Sequence, residues 1–353
     1  MKRDLKELSA DGLAGWLRSE GEAPYRARQI LTWLYRRSAA SFDEMTDLSK
    51  RLRERLESAF TIGRPTVVRL SRAADGTRKF LFGLADGGQI ESVLIPAEMS
   101  ERLTLCISSQ VGCGMGCAFC ATATLGLKRS LTAGEIVDQV LEARRELETS
   151  RAAGEPQSTI TNIVFMGMGE PLHNYECVVE AIGLLTAEWG VGFSPRRITV
   201  STVGLVPQMK RLLEETKVNL AVSLSGTIDD QRGRLMPVNR KYPIATLLGA
   251  CRELPLPRRK RITFEYVMLA GVNDSLADAR RLGKLLCGIP SKVNLIPFNA
   301  FPGSRFTSSG RPAIEAFRAA LLRQGVHATI RESRGRDIQA ACGQLAAAEQ
   351  PRG

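Results

Sequence analysis

Beyond Arg102 the chain settles into an alternation of short apolar runs and longer amphipathic stretches, and this restricts its fold more than any other feature. The runs cover residues 103–107, 162–165, 198–201, 219–224, 262–269, 293–297 and 328–331. Alternation on this scale predicts parallel strands joined by crossover helices. The first helix has a legible start, because Thr132 and Glu135 form a capping box ahead of Ile136, Val137, Val140 and Leu141. No Gly-x-Gly-x-x-Gly fingerprint opens a helix: the segments beginning at Gly112 and Gly167 both miss the third glycine. A dinucleotide-binding Rossmann fold is therefore disfavoured. About six βα units make a partial, TIM-like (βα)6 barrel the expected α/β fold.

The flanks differ in pattern. Leu13, Trp16 and Leu17 recur at helical spacing, as do Ile30, Trp33 and Leu34, so residues 1–62 are expected to form a small helical accessory domain. Across residues 63–98 the turn signals Asp75-Gly76 and Asp86-Gly87-Gly88 separate β-rich runs at 79–82 and 90–95, which predicts a β-hairpin extension. The barrel is placed at 99–333 and a C-terminal segment at 334–353, with residues 150–158 as a surface loop. No stretch of about 18 apolar residues occurs, so no membrane span is expected and the chain reads as cytoplasmic.

Lys and Arg number 49 against 37 Asp and Glu, a formal charge of +12. Such an excess suits a polyanionic partner, and basic runs at Arg36-Arg37, Lys50 to Arg55, Lys128-Arg129, Arg196-Arg197, Arg258 to Arg261 and Arg334 with Arg336 could supply phosphate contacts. Each run taken singly is more often a solvated face. The only histidines are His173 and His327, which leaves little material for a Ser/His/Asp site or a His-rich zinc site. Eight cysteines could form a disulfide framework, but four of them lie between positions 106 and 120. In a reducing compartment, clustered thiols point to metal binding or chemistry.

Directly after the first barrel strand comes Gly112-Cys113-Gly114-Met115-Gly116-Cys117-Ala118-Phe119-Cys120. Three thiolates at this spacing can converge on one metal core while the glycines let the backbone bend around it. A four-iron cluster with only three cysteine ligands keeps one iron open for a substrate or cofactor. Zinc with Cys106 as a fourth ligand is the alternative, though zinc sites usually pair short C-x2-C knuckles. The triplet resembles the signature of the radical S-adenosylmethionine (SAM) superfamily, in which the open iron chelates SAM and its reduction yields a 5′-deoxyadenosyl radical. One βα unit later, Gly167-Met168-Gly169-Glu170-Pro171 resembles the superfamily turn that holds the SAM amino group.

Four segments in order extend the likeness over nearly the whole chain: Cys106 to Cys113, Gly167 to Leu172, Ile296-Pro-Phe-Asn299-Ala-Phe-Pro-Gly303, and Asp337 to Leu345. Together they resemble the RNA adenine methyltransferases of the RlmN and Cfr type. That resemblance implies one [4Fe-4S] cluster per chain on Cys113, Cys117 and Cys120, and SAM contacts from Gly169, Glu170, Ser201, Ser223, Leu224, Ser225 and Asn299. This chain has Ser223-Leu224-Ser225-Gly226 where the family carries Ser-Leu-His-Ala, so Ser225 departs from the pattern. It further implies that Cys342 accepts a methyl group from one SAM, that Glu91 is the proton acceptor, and that Cys106 forms a transient disulfide with Cys342. Glu91 alone would read as a solvated strand carboxylate. Cys177, Cys251 and Cys287 sit in helical patterns and are expected in the core.

The implied activity is methylation of adenine C2 in 23S rRNA and tRNA by a monomeric enzyme that draws electrons from a flavodoxin or ferredoxin. The C8-methylating, resistance-conferring relatives are the nearest rival. A methylthiotransferase would need a second three-cysteine cluster upstream of Cys106, where none exists. A non-catalytic zinc or iron-sulfur RNA-binding protein is the rival from another class.

Overall fold

The alternating apolar runs become strands because each is rich in β-branched and aliphatic residues and buries at least one face against the crossover helices. The computed structural model describes residues 2–97, 100–155 and 157–346. Two short strands, β1 (Arg3–Asp4) and β2 (Phe60–Thr61), pair in parallel and close the N-terminal helical module. Next come β3 (Thr66–Arg72), β4 (Arg78–Gly83), β5 (Gln89–Pro96) and β6 (Arg102–Cys106). A small hairpin of β7 (Gln110–Gly112) and β8 (Leu127–Ser130) frames the cysteine loop. The remaining strands are β9 (Thr159–Phe165), β10 (Ile198–Thr202), β11 (Asn219–Ser223), β12 (Ile262–Met268), β13 (Ser291–Pro297) and β14 (Ala328–Ile330).

A single ten-stranded sheet runs in the order β14-β13-β12-β11-β10-β9-β6-β5-β4-β3. From β6 to β14 every neighbouring pair is parallel, and from β3 to β6 every pair is antiparallel. Because β6 and β14 do not pair, the barrel stays open along one side. The first crossover helix, Ala133–Ala152, starts at the expected cap: Thr132 Oγ1 accepts from Glu135 N at 3.1 Å, and Glu135 Oε2 accepts from Thr132 N at 2.9 Å. Its Ile136, Val137, Val140 and Leu141 are fully buried against the sheet.

Three expectations are corrected. The extension is not a hairpin but a three-stranded meander, β3 to β5, continuous with the barrel sheet. Its outermost strand hid because Val67 and Val68 are exposed on an edge, so the inside-outside alternation that marks a strand is absent. The loop placed at 150–158 begins later, since the helix runs through Ala152 and Ser150 is buried where Arg78 Nη1 donates to its hydroxyl at 2.9 Å. Finally, Cys287 lies exposed beyond the end of helix Leu276–Leu285, whereas Cys251 is buried and Cys177 half-buried.

The N-terminal module is locked to the barrel by a buried ion pair between Lys6 and Asp138, with Lys6 Nζ also donating to Gly63 O at 2.9 Å. Burial pushes the Asp138 carboxyl up to about 6, while Lys6 opposes that rise. Much of the basic surface is already engaged within the fold. Arg55 pairs with Glu20, Arg53 with Asp43, and Arg129 with both Asp86 and Glu135. Arg37 stacks on Trp33, 4.1 Å from the ring centre.

Candidate active site

Parallel strands gather their C-terminal ends on one face, and the loops there build the site. After β7 the backbone turns through Gly112 at φ 74°, where an added Cβ would lie 1.8 Å from Gly126 O. Only glycine allows that closure. Cys113 N then donates to Gly126 O at 2.9 Å, and Ala118 N to Leu235 O at 2.9 Å, so the cysteine loop is pinned at both ends. Burial pushes all three thiols up, Cys113 to about 11 and Cys117 well above its ordinary value. The Cys120 sulfur adds to the rise at both Cys113 and Cys117, and Cys113 adds to it at Cys117.

Three soft sulfur donors on one glycine-bent loop suit an iron-sulfur core, which would stabilise the thiolates that burial alone disfavours. Among the described residues, no three His, Cys, Asp or Glu side chains converge as a single ion demands. Cys106, the fourth ligand a zinc site would need, lines a different crevice.

Beside the loop opens a cavity of about 790 Å³, mouth included, walled by Cys120, Glu170, Ser201, Ser223, Asn299 and Cys342. Gly169, at φ 99°, also lines it, and a Cβ there would meet the Gln110 side chain at 2.6 Å. Glu170 is 2% exposed. Its Oε1 accepts from Leu172 N at 3.0 Å and its Oε2 from Val203 N at 2.8 Å, leaving lone pairs for a further donor. Burial pushes this carboxyl up to about 7 despite those hydrogen bonds. His173 stands behind it, 3.1 Å from Gln110, whose amide oxygen accepts from Glu170 N at 2.9 Å. His327 is exposed.

Two of the residues grouped by resemblance do not reach this cavity. Leu224 is buried, its N–H donating to Glu265 O at 2.9 Å. Ser225, at φ 45°, turns its hydroxyl to β12, where it accepts from Val267 N at 3.2 Å. Asn299 is at the cavity but also engaged: its Nδ2 donates to Cys342 O at 3.2 Å and its Oδ1 accepts from Arg336 Nε at 3.2 Å.

Cys342 occupies the wall between this cavity and a second crevice that holds Cys106, Val93, Arg334 and Leu345. Burial, reinforced by the nearby Cys342, pushes the Cys106 thiol up to about 12, while Arg331 opposes the rise. The segment carrying Cys342 is fastened mostly by backbone groups. Ala121 N donates to Gly343 O at 2.7 Å, and Thr122 Oγ1 to Leu345 O at 2.6 Å.

Glu91 is buried, not solvated, at 2% exposed. It pairs with Lys79 Nζ at 2.9 Å and accepts from Ala346 N at 2.8 Å, so it faces the C-terminal segment. Lys79 Nζ also donates to Gln339 O at 3.2 Å. Sequence reasoning missed Lys79, Glu265 and Arg331. Arg331 lines both cavities and is held above its ordinary range, chiefly by Cys342, with Glu265 and Cys106 adding to the effect. In sequence it is one arginine among several near the C-terminus, and nothing local sets it apart.

A partial barrel whose strand ends carry a three-cysteine loop beside a glycine-rich turn defines the class: this is a radical SAM enzyme, and the model of the radical SAM superfamily matches residues 107–282. The ribosomal RNA large subunit methyltransferase N-terminal domain matches residues 3–62. The dual-specificity RNA methyltransferase RlmN of Pelobacter propionicus is 53% identical over 98% of this chain and 96% of its own length. The RlmN of Geobacter sulfurreducens is 54% identical over 97% of this chain and 91% of its own. A crystal structure of a radical SAM methyltransferase from Sphaerobacter thermophilus, 47% identical, superposes with a TM-score of 0.89 over 98% of this chain and 100% of that one. The chain belongs to the RlmN family of RNA methyltransferases.

Proposed function

We propose that the enzyme methylates C2 of adenine in the peptidyl-transferase loop of 23S rRNA and beside the anticodon of tRNA. Cys113, Cys117 and Cys120 would hold one [4Fe-4S] cluster, which together with bound SAM supplies a 5′-deoxyadenosyl radical. Glu170 would accept the SAM ammonium group, with Ser201, Ser223 and Asn299 seating the rest of the molecule.

The observation that carries the reading is the position of Cys342 in a wall shared by the Glu170 cavity and the Cys106 crevice. On one side its sulfur can take a methyl group by displacement at a SAM sulfonium. Hydrogen abstraction from that methyl lets its carbon bond to adenine C2, a carbon too weakly nucleophilic for polar transfer. Removal of the ring proton by Glu91, loss of the one surplus electron, which the cluster would take back, and attack of the Cys106 thiolate on the Cys342 sulfur then break the carbon–sulfur bond, the freed methylene carbon taking up a proton to become the methyl group. The new disulfide is reduced by cellular thiols. Arg331, which lines both cavities, opposes the rise of the Cys106 thiol and so favours the thiolate that attacks.

An adenine in a loop is unstacked at small cost, which suits a buried reaction centre. The N-terminal module and the basic runs are proposed to hold the phosphate backbone. A flavodoxin or ferredoxin as reductant, a monomeric state and a cytoplasmic setting accord with this reading; no helix among the described residues is long and apolar enough to cross a membrane.

Anaerobically reconstituted Cys342→Ala tests the covalent step. It should bind iron and cleave SAM as the unaltered enzyme does, yet yield no methylated adenine. Product at the wild-type rate would overturn the mechanism. Mass spectrometry of digested RNA fixes the position of the methyl group, and a C8 product would transfer the chain to the resistance-type branch.

A further inference from the structure

Arg232 is the largest fully buried side chain among the described residues, at 0% exposed. It lies in the helix Asp229–Leu235, which follows β11. Its Nη2 donates to Val203 O at 2.8 Å and to Ser223 O at 3.4 Å, and its Nε to Leu224 O at 3.2 Å. Its Nη1 donates to Asn239 Oδ1 at 2.8 Å and Tyr242 O at 3.3 Å. All five acceptors are neutral. The carboxylate in this network stands one step away, where Asn239 Nδ2 donates to Asp229 Oδ1 at 3.0 Å.

A guanidinium stays charged where it is buried, and an unbalanced charge in the interior costs several kcal/mol. Its balance is therefore to be sought nearby. The helix that carries it is tied to the cysteine loop through Ala118 N and Leu235 O, 2.9 Å apart. Burial lowers the Arg232 guanidinium to about 10, and a thiolate at Cys117 would oppose that fall ahead of Asp229. The helix is also seated close on the turn after β11, because a Cβ at Gly226 would come within 2.9 Å of Arg232 Cα and Cβ.

We infer that Arg232 is a positioning residue for the radical step, serving as the fixed positive charge behind the cluster and as the tie that sets the strand ends around SAM. The inference rests on the assignment of a cluster to Cys113, Cys117 and Cys120. Each thiolate brings a negative charge to that cluster and reduction adds an electron, so a cation in a low-dielectric wall favours the reduced state. Three of the carbonyls it grips, Val203, Ser223 and Leu224, stand at or just past the ends of β10 and β11, the strands that carry Ser201 and Ser223. One side chain thus couples the potential of the cluster to the shape of the SAM seat.

The test compares the wild type with Arg232→Gln and Arg232→Lys after anaerobic reconstitution, reading iron content, the midpoint potential by redox-poised electron paramagnetic resonance, and SAM affinity by calorimetry. The Gln variant should keep its iron but show a more negative midpoint. The Lys variant keeps the charge without the fork, so its midpoint should match the wild type while its SAM Kd rises roughly tenfold, the effect of about one lost charge-assisted hydrogen bond. An iron-loaded Gln variant with an unmoved midpoint overturns the inference. Should the Gln variant fail to fold, the Lys variant decides, and a displaced midpoint or unchanged SAM affinity there overturns it. Absence of iron from the wild type would instead sink the cluster assignment itself.

Discussion

Glu170 shows how burial alone can tune a ligand contact. Its carboxyl is pushed up to about 7 by desolvation, so below that pH it is mostly protonated. Only the carboxylate pairs with an ammonium group, so binding SAM there must expel the proton. Affinity is therefore expected to rise with pH, by about tenfold per unit below 7, and to level off above it. Calorimetric titration of SAM between pH 5.5 and 8.5 checks this, with Glu170→Gln expected to give a weak and flat profile. The cysteine triplet and Glu170 could be picked out at this scale because their motifs are local, three cysteines in one loop and a glutamate in one turn, whereas Glu91, Cys106 and Cys342 could be singled out only by resemblance. Lys79 and Arg331 were not, since their meaning comes from Glu91 and Cys342, each far away in sequence and brought close only by the sheet.

At the scale of elements, the crossover helix and the barrel strands could be read from periodicity and capping, whose causes are local. Edge strand β3 could not, because its exposed valines carry no inside-outside signal. The cysteine loop depends on a backbone rule that sequence shows only as a glycine. Gly112→Ala would drive a methyl into Gly126 O, 1.8 Å from the ideal Cβ position, so the loop must open. The expected outcome is a protein whose thermal melt stays near that of the wild type but which binds less iron on reconstitution. A full complement of iron would show that the loop closes without this turn. By contrast, Thr132→Ala removes a half-buried cap away from the cysteine loop and is expected to cost about 1 kcal/mol of stability with iron binding intact, measurable by chemical denaturation.

Across the whole molecule, the N-terminal module and the barrel are joined by the Lys6–Asp138 pair, whose side chains are 3% and 5% exposed. Removing one partner leaves the other charge buried and unpaired, at a cost of about 3–5 kcal/mol. Lys6→Met should lower the melting temperature and leave the module more open to proteolysis, and an unshifted melt would show that the pair contributes nothing net. Asp138→Asn in the same background should recover much of the loss, because it removes the stranded charge. No sequence pattern announces this contact: a lysine near the start and an aspartate inside an amphipathic helix read as ordinary surface.

The segment that presents Cys342 also roofs both cavities, and it is held down by the barrel's own groups at Ala121, Thr122, Asn299 and Glu91. Nucleophile and cover are thus one piece of chain. A protein shortened to end before residue 335 would differ in kind from one lacking only the Cys342 sulfur: it would admit water to the SAM seat and leave the radical without shelter.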